Sequence, residues 1–183
     1  MKQLKKIMEI ASLGLPAAGI NCIMIGGFAV NYYGYTRNTL DVDFMITADK
    51  IDIVRGIMAE AGFTNISVGD NVAFFGMPDL PWRVDFLRVD NDTMNRLLGQ
   101  ANIAEVQGYK LKVPLLLDLI AMKIFALSQS IARRMGKDLP DISYLIIIHN
   151  LDMEKDIRPL TVKYGTEEIF AMIRRQVEEL RSK

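Results

Sequence analysis

The sequence is poor in the residues that most enzyme chemistries need. It has one cysteine, Cys22, and one histidine, His149, in 183 residues. One cysteine forms no disulfide within the chain, and the two together assemble no Cys/His zinc site. Cys22 lies in an apolar run that reads as a buried strand, so it is expected to be a core thiol and not a nucleophile. A Ser–His–Asp or Cys–His mechanism would have to run through His149. That residue follows Ile146-Ile147-Ile148 near a helix end, where a structural role is expected. An excess of charge is also missing: 22 Lys and Arg balance 22 Asp and Glu. This argues against a strong non-specific grip on nucleic acid, while leaving room for a local basic groove. Long hydrophobic runs are missing too. The most apolar stretch, Val113 to Leu127, carries Asp118 and Lys123 and is short for a bilayer. Glu9 and Pro16 interrupt any signal-peptide core. No membrane association is expected, and the cytoplasm is the expected location. There are no repeats and no low-complexity tracts. Half of the residues are hydrophobic, enough for a folded chain with one substantial core, in one or two lobes.

Periodicity orders the rest. Leu4, Ile7, Met8 and Ala11 predict an amphipathic helix over 2–12. A strand at 22–25, a helix at 27–34 and a strand at 41–47 follow. Asp49 is a candidate N-cap for a helix through Ala61, which Gly62 ends. Strands are expected at 63–68 and 72–76 around a turn at 69–71. A loop is expected at 77–81, where two prolines forbid regular pairing. A strand at 82–89 comes next, then a short helix through Leu98 capped by Asn91 or Asp92, then a hairpin of 103–106 with 109–113 around Gln107-Gly108. Pro114 suits the first turn of a long helix running to about Met135, where Gly136 stops it. Helices at 140–150, 153–164 and 166–181 complete the chain. Mixed strands and helices followed by helices alone predict an α/β (α+β) core over residues 1–113 and a helical lobe over 114–183.

The chemistry concentrates at Asp41-Val42-Asp43. Residues two apart on a strand share a face, so Asp41 and Asp43 project together while Val42, Phe44 and Ile46 face the core. Adjacent like charges are costly unless a positive charge sits between them, and a divalent cation is the natural candidate. Asp85 lies in a second apolar strand, Trp82 to Leu87. Three strand-borne carboxylates suit Mg²⁺ or Mn²⁺ and not zinc. Upstream, Cys22-Ile23-Met24-Ile25 reads as a buried strand broken by Gly26-Gly27 before a helix. That passage lets backbone approach a ligand and presents free N–H groups, a ready anion site. Phosphate on the glycines with metal on the adjacent aspartates makes one nucleoside triphosphate site.

These residues resemble the nucleotidyltransferases of the DNA polymerase β superfamily. They look closest to the minimal branch that includes the AbiEii-type toxins of bacterial toxin–antitoxin systems. The resemblance rests on Gly26-Gly27, on the Arg37-x-Thr39-x-Asp41-x-Asp43 stretch and on Asp85. It extends to a helix carrying Lys123 and to Lys137-Asp138-Leu139-Pro140-Asp141, and it covers roughly residues 20–148. It implies a nucleotidyltransferase-fold mixed sheet flanked by helices, with a C-terminal helical lobe.

The expected activity is metal-dependent transfer of a nucleoside monophosphate from a nucleoside triphosphate to an acceptor hydroxyl. Asp41, Asp43 and Asp85 would be the catalytic, metal-holding residues, and Gly26, Gly27, Arg37, Thr39, Lys123 and Asp138 the nucleotide-binding ones. Several have a second reading. Gly26-Gly27 also fits a plain tight turn, and Asp85 an exposed strand residue opposite Arg83 or Arg88. Arg37 either binds triphosphate or pairs with an aspartate of the cluster. Thr39 suits orienting the turn before Asp41 more than touching ligand. Lys123 either meets the triphosphate, with its loss sparing the fold, or snorkels to solvent. Asp138 also suits a helix N-cap. Arg133, Arg134 and Lys137 either complement a helix end or face a phosphate-rich partner. The acceptor is open between a tRNA end, a protein hydroxyl and a small molecule. Two other functions fit the Asp-x-Asp: a metal-dependent glycosyltransferase, for which the Gly-Gly element has no role, and a nucleotide-binding regulatory or antitoxin-like protein without turnover.

Overall fold

The structure, a computed structural model, describes residues 2–78 and 82–182. The expected loop at 77–81 lies partly outside them. The chain separates into two compact units. One holds Met1–Ala29 and Arg37–Leu115, the other Val30–Thr36 and Leu116–Lys183. The second unit thus takes residues 30–36, which the division at 113/114 gave to the first. The reason lies in aromatic contacts. His149 Nε2 donates to the Tyr33 carbonyl at 2.8 Å, and Tyr35 stacks on Tyr144 with ring centroids 4.3 Å apart.

In the first unit, α1 (Lys2–Glu9) runs through a π turn, Ile10–Gly14, into α2 (Leu15–Ala17). The helix therefore outlasts its expected end at residue 12. The wider π turn accommodates Pro16, which has no N–H to donate. Next come β1 (Ile23–Ile25), α3 (Gly26–Tyr32) and β2 (Asp41–Thr47). A 3₁₀ turn at Ala48–Lys50 leads into α4 (Ile51–Glu60), so Asp49 lies inside that turn and does not cap α4. β3 (Asn65–Val68) starts two residues past the buried Phe63. β4 (Val72–Gly76), β5 (Arg83–Val89) and α5 (Asn91–Gln100) follow. The cap of α5 is Asp90, whose Oδ1 accepts from the Thr93 N–H at 2.7 Å, in place of Asn91 or Asp92. The hairpin β6 (Asn102–Val106) and β7 (Tyr109–Val113) closes the unit.

The five-stranded sheet has the order β1-β2-β5-β4-β3. β2 and β5 run parallel, and the other neighbours are antiparallel. Register on β2 and β5 sorts the side chains by parity. Val42 pairs with Val84 and Phe44 with Phe86, all four buried. Phe86 stacks on Phe44 and meets Phe75 edge-on. The alternate positions carry the acidic residues.

The second unit is helical: α6 (Leu116–Gln129), α7 (Ile131–Arg134), α8 (Asp138–Ile148), a π turn at Met153–Ile157 leading into α9 (Arg158–Tyr164), and α10 (Glu167–Arg181). α6 packs against α8 and α9, and α8 against α10. The long helix expected from Pro114 to Met135 is broken at Ser130, whose backbone is non-helical. Just before the break Ser128 Oγ donates to the Phe125 carbonyl at 2.7 Å. Such serine hydroxyls compete with the helical hydrogen bonds. α8 starts two residues earlier than expected. Pro140 falls in its first turn, where N–H groups have no partner within the helix anyway. Among the described residues no helix is long and apolar enough to cross a membrane.

Candidate active site

Asp41, Asp43 and Asp85 share one face of the sheet. Asp43 is the register partner of Asp85 across the parallel β2–β5 pair, and Asp41 is the partner of Arg83. Asp85 is only 8% exposed, which overturns its reading as an exposed strand residue. Its partner is Arg83. That guanidinium donates from Nε to Asp85 Oδ1 at 2.7 Å and from Nη2 to Asp85 Oδ2 at 2.8 Å. Nη2 also lies 3.4 Å from Asp41 Oδ2. Arg88 goes elsewhere, donating to the Gly69 carbonyl at 3.0 Å. Sequence reasoning treated Arg83 only as a bystander of Asp85. The signal was present, because Arg83 and Asp85 stand two apart on one strand and so face the same way.

Burial pushes the Asp85 carboxyl up to about 6; the Arg83 hydrogen bonds oppose this, and the charges of Asp43 and Asp41 add to it. The folded value is raised above the ordinary 3.8. Protonated Asp85 therefore favours the fold, and that contribution is complete below pH 3.8 and lost as pH rises through about 6. Without divalent metal, the melting temperature of the wild type is expected to fall across this window relative to Asp85→Asn. Parallel slopes for the two proteins in thermal melts would contradict it.

The glycines explain how Asp43 fits. β1 pairs with β2 so that Ile25 faces Asp43, and Gly26 comes next. Gly26 has φ +62°, and a Cβ built there would lie 1.9 Å from Asp43 Oδ2. A Cβ at Gly27 would meet the Thr39 side chain at 3.0 Å. The diglycine is therefore more than a tight turn: its missing side chains leave the space that Asp43 and Thr39 occupy. Gly26→Ala combines left-handed backbone, about 1–2 kcal/mol, with a clash, about 1–3 kcal/mol. It is expected to lower stability by about 2–5 kcal/mol in denaturant titrations. A loss below about 1 kcal/mol would mean that β1 and β2 part without cost.

Thr39 Oγ1 donates to the Asp41 carbonyl at 3.0 Å, which fixes the entry to β2. Arg37 Nη1 reaches the Asn38 carbonyl at 3.5 Å. Lys123 and Asp138 lie in the second unit and form a cluster there. Lys123 is 5% exposed, and its ammonium donates to Asp138 Oδ1 at 3.0 Å and Asp141 Oδ2 at 2.6 Å. Arg134 adds a longer contact to Asp138, 3.4 Å. Lys123 thus does not snorkel, and its hydrogen bonds go to two buried carboxylates. Asp138 is the first residue of α8, after its cap Lys137, so it is not the N-cap. Arg134 is in part committed to this cluster through its contact with Asp138. His149 has the structural role expected of it, against Tyr33. Burial pushes the Cys22 thiol up to about 12, and it donates to the Ala11 carbonyl.

Among the described residues no group of three or more His, Cys, Asp or Glu is arranged ready to hold a metal ion. The donor set still fits one. Three carboxylates on one face supply the hard oxygen ligands that Mg²⁺ or Mn²⁺ prefers, and Arg83 now fills the positive position beside two of them.

Solved structures similar to this one include antibiotic nucleotidyltransferases. An antigenic nucleotidyltransferase-like protein from Paracoccidioides brasiliensis superposes with a TM-score of 0.59 at 18% identity, covering 99% of this chain and 91% of that one. The antibiotic-resistance factor ANT(2")-Ia, solved with adenylyl-2"-tobramycin, gives a TM-score of 0.63 at 13% identity, covering 95% and 98%. The lincosamide antibiotic adenylyltransferase LnuA, bound to lincomycin, gives 0.56 at 14% identity, covering 80% and 96%. These likenesses define the fold as that of the nucleotidyltransferases, a mixed sheet with helices and a C-terminal helical part. A family model matches residues 3–179, and the chain belongs to that family, described as nucleotidyl transferase of unknown function (DUF2204). A comparison with curated proteins found no match.

Proposed function

We propose that the protein transfers a nucleoside monophosphate from a nucleoside triphosphate to an acceptor hydroxyl, using Mg²⁺ or Mn²⁺ held by Asp41, Asp43 and Asp85. The observation that carries this reading is the register of β2 on β5, which sets Asp43 beside Asp85 on the face that also carries Asp41. A bound divalent ion there supplies Lewis acidity toward the triphosphate and makes the acceptor hydroxyl easier to deprotonate. The chain's own residues do the rest. Gly26 and Gly27 let backbone approach the phosphates closely. Thr39 holds the Asp41 carbonyl and with it the start of the acidic strand. Arg37 offsets triphosphate charge. The acceptor oxygen attacks the α-phosphorus, the new P–O bond forms, and the bond to pyrophosphate breaks. Lys123 and Asp138 are read as holding the second unit together through their ion pair.

The acceptor class is open between a small hydroxyl compound, a tRNA end and a protein hydroxyl. ANT(2")-Ia and LnuA were solved with small hydroxyl compounds or their adenylyl adduct. A toxin–antitoxin role, with a cytoplasmic macromolecular acceptor, draws support from the later motif. Lys123, Asp138 and Asp141, the residues that resemble the AbiEii-type branch in this half, meet in one cluster. Thermal melts with each nucleoside triphosphate, with and without Mg²⁺, test the site without an acceptor. Binding to the folded state raises the melting temperature, and the rise is expected only with Mg²⁺ present. No Mg²⁺-dependent rise with any triphosphate would overturn the reading.

A further inference from the structure

We propose that Arg83 is a placeholder for the divalent cation, holding the acidic face together until the cation displaces it. The proposal rests on the nucleotidyltransferase reading and deepens it. Both Asp85 oxygens accept from the Arg83 fork, and Nη2 also lies within ion-pair distance of Asp41. Bidentate guanidinium–carboxylate pairs are strong and directional, so the carboxylates now point at Arg83 and are not converged on a common centre. The two partners differ in freedom. The Asp85 side chain is 11% exposed, whereas that of Arg83 is 48% exposed. Arg83 also rests on the solvent side of β4, its guanidinium carbon 5.1 Å from the centroid of the Phe74 ring. Phe74 is the register partner of Asp85, and its ring is partly exposed. The carboxylate is therefore anchored and the cation is the movable member. The ion and the guanidinium compete for the same Asp85 oxygens, so binding the ion must break the fork.

The test is Mn²⁺ affinity, read from the electron paramagnetic resonance of free Mn²⁺, for the wild type, Arg83→Gln, Arg83→Lys and Arg88→Gln. Arg83→Gln is expected to bind Mn²⁺ at least about tenfold more tightly than wild type, a gain of about 1.4 kcal/mol. Without metal it is expected to melt at a lower temperature, because the carboxylates lose their counter-charge. Arg83→Lys keeps the charge but loses the fork, so it should bind with intermediate affinity. It also serves if the Gln variant fails to fold. Arg88→Gln removes the same charge from the same strand, where Arg88 is bonded to Gly69, and should bind as wild type does. Equal or weaker Mn²⁺ binding by folded Arg83→Gln and Arg83→Lys would overturn the placeholder and leave the nucleotidyltransferase reading standing. An equal gain from Arg88→Gln would also overturn it, by showing that net charge alone sets the affinity. Absence of Mn²⁺ binding by every variant, with and without triphosphate, would overturn both readings together.

Discussion

Asp43→Asn is expected to lower nucleotide transfer by at least about 10²-fold, the scale lost when one preorganised electrostatic group is removed from a reacting phosphate. Asp43 is the middle of the acidic face. It stands two residues from Asp41 on β2, beside Asp85 on β5, and next to the space left by Gly26. Asparagine has nearly the same shape, so it occupies that space without the clash that alanine at Gly26 would create. It removes only the charge. The fold should therefore persist, with a melting temperature equal to or above that of the wild type, because one of three neighbouring like charges is gone. The Mg²⁺-dependent rise in melting temperature with triphosphate should shrink in parallel. Transfer at the wild-type rate in Asp43→Asn would move the chemistry away from this face.

Lys123→Ala is expected to cost about 3–5 kcal/mol of stability, the scale for breaking a buried ion pair from one side. The ammonium sits between Asp138 and Asp141, whose side chains are 4% and 0% exposed. Removing it leaves two buried carboxylates with little water in reach, and the Arg134 contact to Asp138 is longer, at 3.4 Å. Lys123→Met keeps the aliphatic stem and still loses the charge, so it should be nearly as destabilised. Urea titrations measure both. A loss below about 1 kcal/mol would show that water or Arg134 takes over. Any loss of transfer in these variants should follow the fraction unfolded. A loss of turnover in a fully folded variant would return Lys123 to the nucleotide site.

The acidic face was legible because strand alternation is a local property. Asp41 and Asp43 flank Val42 and precede Phe44, and that pattern alone assigns the faces. The partnership of Asp43 with Asp85 was not, because register is set by the whole β2–β5 ladder. Gly26-Gly27 announced a turn and a close approach, but the object being approached, Asp43, comes from another strand. The misread helix ends have local causes. Ser128 and Ser130 end α6 where apolar periodicity runs on, and a π turn carries the first helix on to Pro16. Lys123 stayed ambiguous for a different reason. Its helix is apolar on several faces, so the sequence did not distinguish a lysine aimed at a ligand from one neutralised by its own unit. Asp141 belongs to the same motif, three residues after Asp138.

The central claim is that this acidic face transfers a nucleotide and does not merely bind one. Parallel incubations with triphosphates labelled at the α or the γ phosphorus, in Mg²⁺ with cell extract, test it most directly. The account predicts that α label becomes attached to an acceptor while γ label leaves as pyrophosphate, and that both stop with chelator. Mg²⁺-dependent binding of triphosphate with neither label transferred nor pyrophosphate released would contradict it, and would mark the protein as a nucleotide-binding regulator on a nucleotidyltransferase fold.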